Sequence, residues 1–413
     1  MNVLGIVSEY NPFHLGHVYH IEDSIKKTGA THTVCVMSGN FVQRGEPAIV
    51  DKWARTKMAL EGGIDLVLEL PVAFACASAE IFAYGAVRTL HKTGVVDYLS
   101  FGSEQGELGS LWRIASVLHD EPIEYKELLK KYLSLGFSFP VSRDKALTSI
   151  LRELPENILS KSNNILAIEY LKALKNLNSN IQPVTIKRRG SEYLENTLNS
   201  SYSSASAIRF FLKNGGQITD PVLENDLPPY AIDIMKQEIQ KQRGPVFPEA
   251  FGGIILHMLR TYSPEALQQI PDVNEGLENR LISCALKAGT LDELISLVTT
   301  SRYPSSRIKR ITSNLLWGFK KEDLVRFVDD DTCGYLRVLG FNNKGRQVLA
   351  KIQDESSLPL IVKVAGYKNQ LPDFSKAMFD YDIKATNSYV LGFDNPSQRT
   401  GGQDFTKQIE MIW

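Results

Sequence analysis

The chain has 413 residues, 43% hydrophobic and 23% charged, which describes a soluble globular protein long enough for two or three domains. Its 46 basic and 47 acidic residues give a formal net charge of −1, so it is no polycation, and a nucleic-acid partner must be held by a local basic face. Four widely spaced cysteines (Cys35, Cys76, Cys284, Cys333) form no CxxC pair or disulfide framework, and no run nears the roughly 20 apolar residues of a membrane span; both fit a cytoplasmic protein.

The opening "MNVLGIVSEYNP" has no basic leader and reads as a first strand, not a signal peptide. Further Val/Ile/Leu-rich runs, "HTVCVMSG" (32–39), "DLVLELP" (65–71) and "VDYLSFGS" (96–103), have the character of strands buried on both faces. Helical patterns at about 15–28, 51–62 and 80–93 alternate with them, which predicts a parallel, doubly wound sheet with its ligand beyond the carboxyl ends of the strands. From 105 to 180 the pattern is helical. A strand "QPVTIKR" (182–188) and a helix from Ser204 then close a first domain near residue 215. "GGQITDPVLENDLPPY" (215–230) reads as a boundary, and 216–413 is expected to be mainly helical, with its last stretches unassigned.

Three of the seven histidines crowd into "VSEYNPFHLGHVYH". His14 and His17 frame Gly16 just after the first strand, where a helix opens. That position offers backbone N–H donors and the positive end of a helix dipole to an anion, with Gly16 allowing a phosphate close to the backbone. A zinc site is the first rival, but the spacing is not that of HExxH and no cysteine is near; a simple helix cap is the second. "SSASAIR" places Ser204, Ser206 and Arg209 around another helix start, a second device for phosphate or substrate, and Arg44 in "QRGEP" is a loop cation suited to the same task. Residues 294–321 hold Arg302, Arg307, Lys309, Arg310, Lys320 and Lys321 without one acidic residue, which points to a polyanion such as RNA.

"EYNPFHLGHVYH", "VMSGNFVQRGEPA", "KWARTKMAL", "DLVLELP", "FGSE", "KSNNILAIEY" and "SASAIR" together resemble the H-x-G-H nucleotidylyltransferases and, more closely, the tRNA(Met) cytidine acetate ligase family. The resemblance implies an α/β fold: a Rossmann-like, ATP-binding catalytic domain with a parallel sheet over 1–215, then a mostly helical, tRNA-binding region over 216–413. It implies His14 and His17 as catalytic residues. It implies an ATP loop of Val7, Ser8, Glu9, Tyr10, Asn11, Pro12, Phe13, His14, Leu15, Gly16, His17, Val18, Tyr19 and His20, with Gly102, Asn163 and Arg188 as further ATP contacts. Ser162 stands where the family pattern carries a proline. The partners implied are acetate and elongator tRNA(Met), without a membrane, and the sequence specifies no oligomeric state. Mg²⁺ is an open companion of ATP; no carboxylate pair demands it, and Glu9 and Glu104 are conceivable ligands. The alternatives are a small-molecule adenylyltransferase acting on a phosphorylated metabolite and a nucleotide-binding regulator without catalysis.

Overall fold

A computed structural model describes residues 1–151, 154, 158–188, 203–332 and 334–413. Strand β1 (Val3–Ser8) leads through the loop 9–14 into α1 (Leu15–Thr28) and β2 (His32–Ser38). A two-stranded hairpin, β3 (Phe41–Val42) and β4 (Glu46–Pro47), follows, then α2 (Lys52–Glu61), β5 (Leu66–Leu70), α3 (Val72–Ala75), α4 (Ala79–Lys92) and β6 (Tyr98–Ser103). Four helices, α5 (Leu108–Asp120), α6 (Ile123–Ser134), α7 (Phe139–Ile150) and α8 (Ser162–Asn176), precede β7 (Gln182–Lys187), and α9 (Ala205–Lys213) comes after it. The predicted strands and helices of this half are all present, to within a residue or two at their ends.

β2, β1, β6 and β7 lie side by side and parallel, with β5 beyond β2. Alternation explains why these runs are apolar throughout. Val34, Val36, Leu66 and Leu68 point into one buried cluster, while Leu4, Ile6, Cys35, Met37 and Val67 point into the other. The chain goes from β1 to β2 on one side and returns to β6 on the other, so a crevice opens between the carboxyl ends of β1 and β6.

The sheet does not end with the first 215 residues, as the expected domain division implied. β8 (Leu336–Asn342) pairs antiparallel with β5, while β9 (Leu360–Ile361) and β10 (Glu410–Ile412) pair parallel with β8. The region after 216 is mostly helical, yet it supplies one end of the same sheet. Both halves share a buried ion network. Lys52 Nζ lies 2.7 Å from Glu69 Oε1 and 2.8 Å from Asp404 Oδ1; Arg337 lies 2.8 Å from Glu69 Oε2 and 2.6 Å from Asp404 Oδ1. All four side chains are at most 3% exposed. Removing one cation leaves a carboxylate uncompensated in the interior. Arg337→Met is therefore expected to cost about 3–5 kcal/mol, read as a lowered urea midpoint.

Candidate active site

The loop after β1 is shaped from below. Tyr10, Asn11, Pro12 and Phe13 are buried, and Tyr10 and Phe13 belong to the core cluster under the sheet's edge. Tyr10 adopts a left-handed φ of 47°, and the Asn11–Pro12 bond is cis. Asn11 Oδ1 accepts from the Ile49 N–H at 2.7 Å, and its carbonyl accepts from Arg209 Nη1 at 2.7 Å. Tyr10 to Phe13 therefore support the loop from within, and Leu15 to His20, which open α1, are half-buried.

His14 is the N-cap of α1, and its role is reciprocal with His17. His14 Nδ1 accepts from the Gly16 N–H at 3.0 Å, and His17 Nδ1 accepts from the His14 N–H at 3.1 Å. A backbone N–H can only donate, so both Nδ1 atoms are unprotonated and both protons sit on Nε2. The two rings stack with centroids 3.8 Å apart, and His17 rests on Tyr10 (4.9 Å) and Phe13 (5.5 Å). Burial, with Arg188 and Arg209 adding positive charge, brings the His14 pKa down to about 3. Burial and the adjacent His14 lower that of His17, and burial and Arg188 bring His20 to about 4. The pair is thus two neutral imidazoles with fixed Nε2–H donors.

This differs from the helix-terminus site expected from sequence. The first N–H groups of α1 are already spent: Leu15 N–H donates to the Asp226 carbonyl at 2.8 Å and Gly16 N–H to His14. The capping box that fixes the imidazoles consumes the backbone donors. Gly16 has a related purpose. A Cβ there would stand 2.8 Å from His14 Cε1, so the missing side chain makes room for an imidazole, not for a phosphate against the backbone.

Gly102, Asn163 and Arg188 converge on the other side of the crevice. Arg188 Nη1 donates to Asn163 Oδ1 at 3.3 Å, and a Cβ on Gly102 would lie 3.2 Å from Arg188 Cγ. Glu104 accepts from Asn163 Nδ2 (2.6 Å) and from the Asn163 and Asn164 N–H groups, so it caps α8. His20 reaches across to Ser100 Oγ at 3.0 Å, tying α1 to β6. The two residues that follow Arg188 in "KRRG" lie outside the described residues, as does Cys333.

The serine–arginine helix start is also reassigned. Ser204 is buried and accepts from the Ala207 N–H at 3.1 Å, an ordinary cap. Ser206 Oγ accepts from Arg209 at 3.4 Å, while Arg209 holds the histidine loop through Asn11 and faces Glu46 at 3.6 Å. Glu46 also takes Lys309 at 2.6 Å, and these two cations outweigh burial and keep its pKa below the usual carboxylate range. Glu9 accepts from the Gln43 N–H at 2.9 Å; burial raises its pKa, and Arg209 and Arg44 stand near enough to oppose this.

The run of cations at 294–321 is not an unbalanced face. Arg302 pairs with Glu275 at 2.7 Å, Arg310 with Asp272 at 3.0 Å, and Lys320 lies 3.8 Å from Glu322. Arg307 donates to the Asp272 carbonyl at 2.7 Å, and Lys321 is exposed. The window looked acid-free because its partners come from elsewhere in the chain, Glu46 from 263 positions away. Arg310 and Lys309 also press their backbone onto the β3–β4 turn, where a Cβ on Gly45 would stand 2.3 Å from Arg310 N.

Two residues with large effects were not singled out from sequence. Arg55, fully buried, donates to the carbonyls of Glu9 (2.7 Å), Ser38 (3.0 Å) and Val50 (3.1 Å), and to that of Gly39. Asp226 caps α1 by its carbonyl and receives the Ser203 N–H on its carboxylate at 2.5 Å. Nothing in "KWARTKMALE" marks Arg55, because the helix carries several polar residues and only the structure shows it buried nearly all round. Nothing local marks Asp226.

Comparison with known proteins identifies the family and the fold. The HIGH Nucleotidyl Transferase family matches residues 1–404. The tRNA(Met) cytidine acetate ligase of Acetivibrio thermocellus is 46% identical over 99% of each chain, and that of Thermoanaerobacter sp. 47% over 98% of each. The chain belongs to the tRNA(Met) cytidine acetate ligase family. Thermotoga maritima TmcAL has the same fold across 100% of both chains, at TM-score 0.95 and 37% identity in its apo form. The form bound with alpha-thio ATP gives TM-score 0.92 and 36% identity, also over 100% of both chains. In this chain the H-x-G-H histidines are both neutral, their Nδ1 atoms held by the Gly16 and His14 N–H groups.

That neutrality has a consequence for stability. Three imidazoles that are uncharged in the folded protein take up protons when it unfolds below about pH 6.5, so stability falls as pH drops through that value toward 4 and 3. His14→Asn keeps a good N-cap residue and removes one such group. Between pH 7 and pH 5 its urea midpoint is expected to fall less than that of the unsubstituted chain.

Proposed function

We propose that the chain is an ATP-dependent ligase that activates acetate as acetyl-adenylate and transfers the acetyl group to N4 of the wobble cytidine of elongator tRNA(Met), forming N4-acetylcytidine. Such a reaction belongs in the cytoplasm, where its tRNA substrate is. The observation that carries this reading is the reciprocal histidine cap, which leaves two fixed Nε2–H donors beside the carboxyl end of β1.

Acetate is a poor acyl donor because its oxygen is a poor leaving group. Its carboxylate attacks the α-phosphorus of ATP; the bond from that phosphorus to the bridging oxygen breaks, and pyrophosphate leaves with the electron pair. Negative charge grows on the departing oxygens, and the His14 and His17 Nε2–H groups donate to it. Because these donors are neutral and already held in place, they need neither a proton transfer nor a reorganisation during the step. Gly102, Asn163 and Arg188 bind the remainder of the nucleotide across the crevice, with Arg44 and Arg209 on the substrate side. In the second step the cytidine N4 attacks the acyl carbon, AMP departs, and N4 gives up a proton.

The carboxylates at this end are already engaged in hydrogen bonds. Glu104 spends both oxygens on Asn163 and Asn164, and Glu9 spends one on Gln43. Among the described residues no three His, Cys, Asp or Glu side chains form a metal-holding group. Likewise, among the described residues no helix is long and apolar enough to cross a membrane.

Incubation with ATP, labelled acetate and total tRNA tests the reading. Label is expected in N4-acetylcytidine after digestion, only when ATP and acetate are both present. His17→Ala is expected to lower kcat by about 10²–10³, the usual loss for one oxyanion-type donor. Absence of label, with ATP converted to pyrophosphate by a phosphorylated metabolite, would replace the reading with the adenylyltransferase one. Gly16→Ala is a finer probe. Its methyl displaces the His14 ring, so adenylation should fall at least tenfold while the thermal midpoint stays within a few degrees.

A further inference from the structure

Helices α6 and α7 form a hairpin around Gly136, a turn glycine at φ +85°. Its base is anchored: Tyr125, Ala146 and Leu147 are buried in the main core cluster. Its tip is not. Every residue from Leu133 to Val141 is exposed, including five large apolar side chains: Leu133 at 41%, Leu135 at 63%, Phe137 at 40%, Phe139 at 55% and Val141 at 42%. A contiguous apolar patch of this kind on a surface calls for a partner.

The surrounding charge identifies which partner. Between residues 128 and 147 stand Lys130, Lys131, Arg143 and Lys145, opposed by the single carboxylate of Asp144. Lys145 Nζ lies 4.9 Å from the centre of the Phe137 ring and 5.9 Å from that of Tyr132, so cation and ring faces share one spot. Exposed aromatic faces interleaved with cations are the equipment for unpaired nucleotides, whose bases stack and whose phosphates need charge. A second copy of the chain suits it less well, since a two-fold contact would bring two tips of like charge together. The basic run at 294–321, by contrast, is largely paired within the molecule.

We propose that the α6–α7 tip is a docking surface for tRNA, with Phe137 and Phe139 stacking on unpaired loop bases and Lys130, Lys131 and Lys145 taking the adjacent phosphates. The proposal rests on the tRNA substrate of the function proposed above, and it adds the surface that grips it.

Two double variants of the full chain test it: Phe137→Ser with Phe139→Ser, and Lys130→Glu with Lys131→Glu. All four residues are exposed, so circular dichroism and ATP affinity by calorimetry should match the unsubstituted chain. The dissociation constant for elongator tRNA(Met), by filter binding, should rise at least about fivefold in each, the low end for losing one stacked base. The lysine pair should also flatten the dependence of log Kd on log salt, and the phenylalanine pair should not. Unchanged tRNA affinity in both variants overturns the proposal. So does unchanged tRNA affinity with loss of self-association in sedimentation, or with loss of binding to anionic lipid vesicles; those results assign the tip to a second copy or a membrane. If the unsubstituted chain acetylates tRNA while the variants keep its affinity, only the surface fails. If the unsubstituted chain acetylates no tRNA, the function fails and takes the surface with it.

Discussion

The geometry of the crevice depends on one buried guanidinium. Arg55 projects from α2 into the space where the loops after β1 and β2 leave the sheet, and it donates to main-chain carbonyls of both. Carbonyl oxygens at strand ends have lost their ladder partners and are out of reach of water here, so each left alone would cost stability. A planar group with five donors can satisfy several at once, as a lysine cannot. Burial alone disfavours the cation and lowers its pKa, while Tyr389, Asp51, Glu9 and Glu69 nearby act in the opposite sense. Fixing the Glu9 carbonyl fixes the entry to the histidine loop, and with it the direction from which α1 begins.

From that anchor the rest follows in layers. Arg209 takes the carbonyl of Asn11, two residues further along the loop, and is itself held toward Glu46 on the β3–β4 hairpin. Glu46 carries the connection on to Lys309 in the helix Ser305–Leu316. The histidines are therefore braced by residues drawn from four distant stretches of chain. Their own contribution is local: each imidazole spends Nδ1 on the backbone, which leaves the proton on Nε2. Neutral donors suit a reaction in which charge arrives on the phosphates during bond breaking, because a ring already carrying a charge would bind the starting triphosphate just as strongly.

The sheet up to β7 was legible because its strands are buried on both faces and hence apolar without interruption. β8 and β10 were harder. "LRVLGFN" carries an arginine near its start, and only the structure reveals that Arg337 is neutralised by Glu69 and Asp404. "EMI" at 410–412 is three residues long, too short for any periodicity. At the site, the clustering of histidines was visible, whereas the fate of the helix-start N–H groups was not, since it turns on a ring rotamer and on a carbonyl at Asp226. The internal pairing of the cationic run was hidden for the opposite reason. A window sees charges near in sequence, while pairing is decided by charges near in space.

The placement of β8 bears on how such a chain comes to be assembled. β5 is an interior strand only because residues 336–342 lie against it, and β8 in turn is flanked by residues 410–412. A ribosome that has released the histidine loop, α9 and all strands up to β7 has still left one side of β5 with open hydrogen-bonding groups. The same is true of Lys52 and Glu69, whose remaining partners arrive with Arg337 and Asp404. The strands of the first 215 residues are thus completed by residues 336–342 and 410–412, which are made after them. Until residues 336–342 arrive, β5 carries a flank of unpaired backbone donors and acceptors open to any other strand.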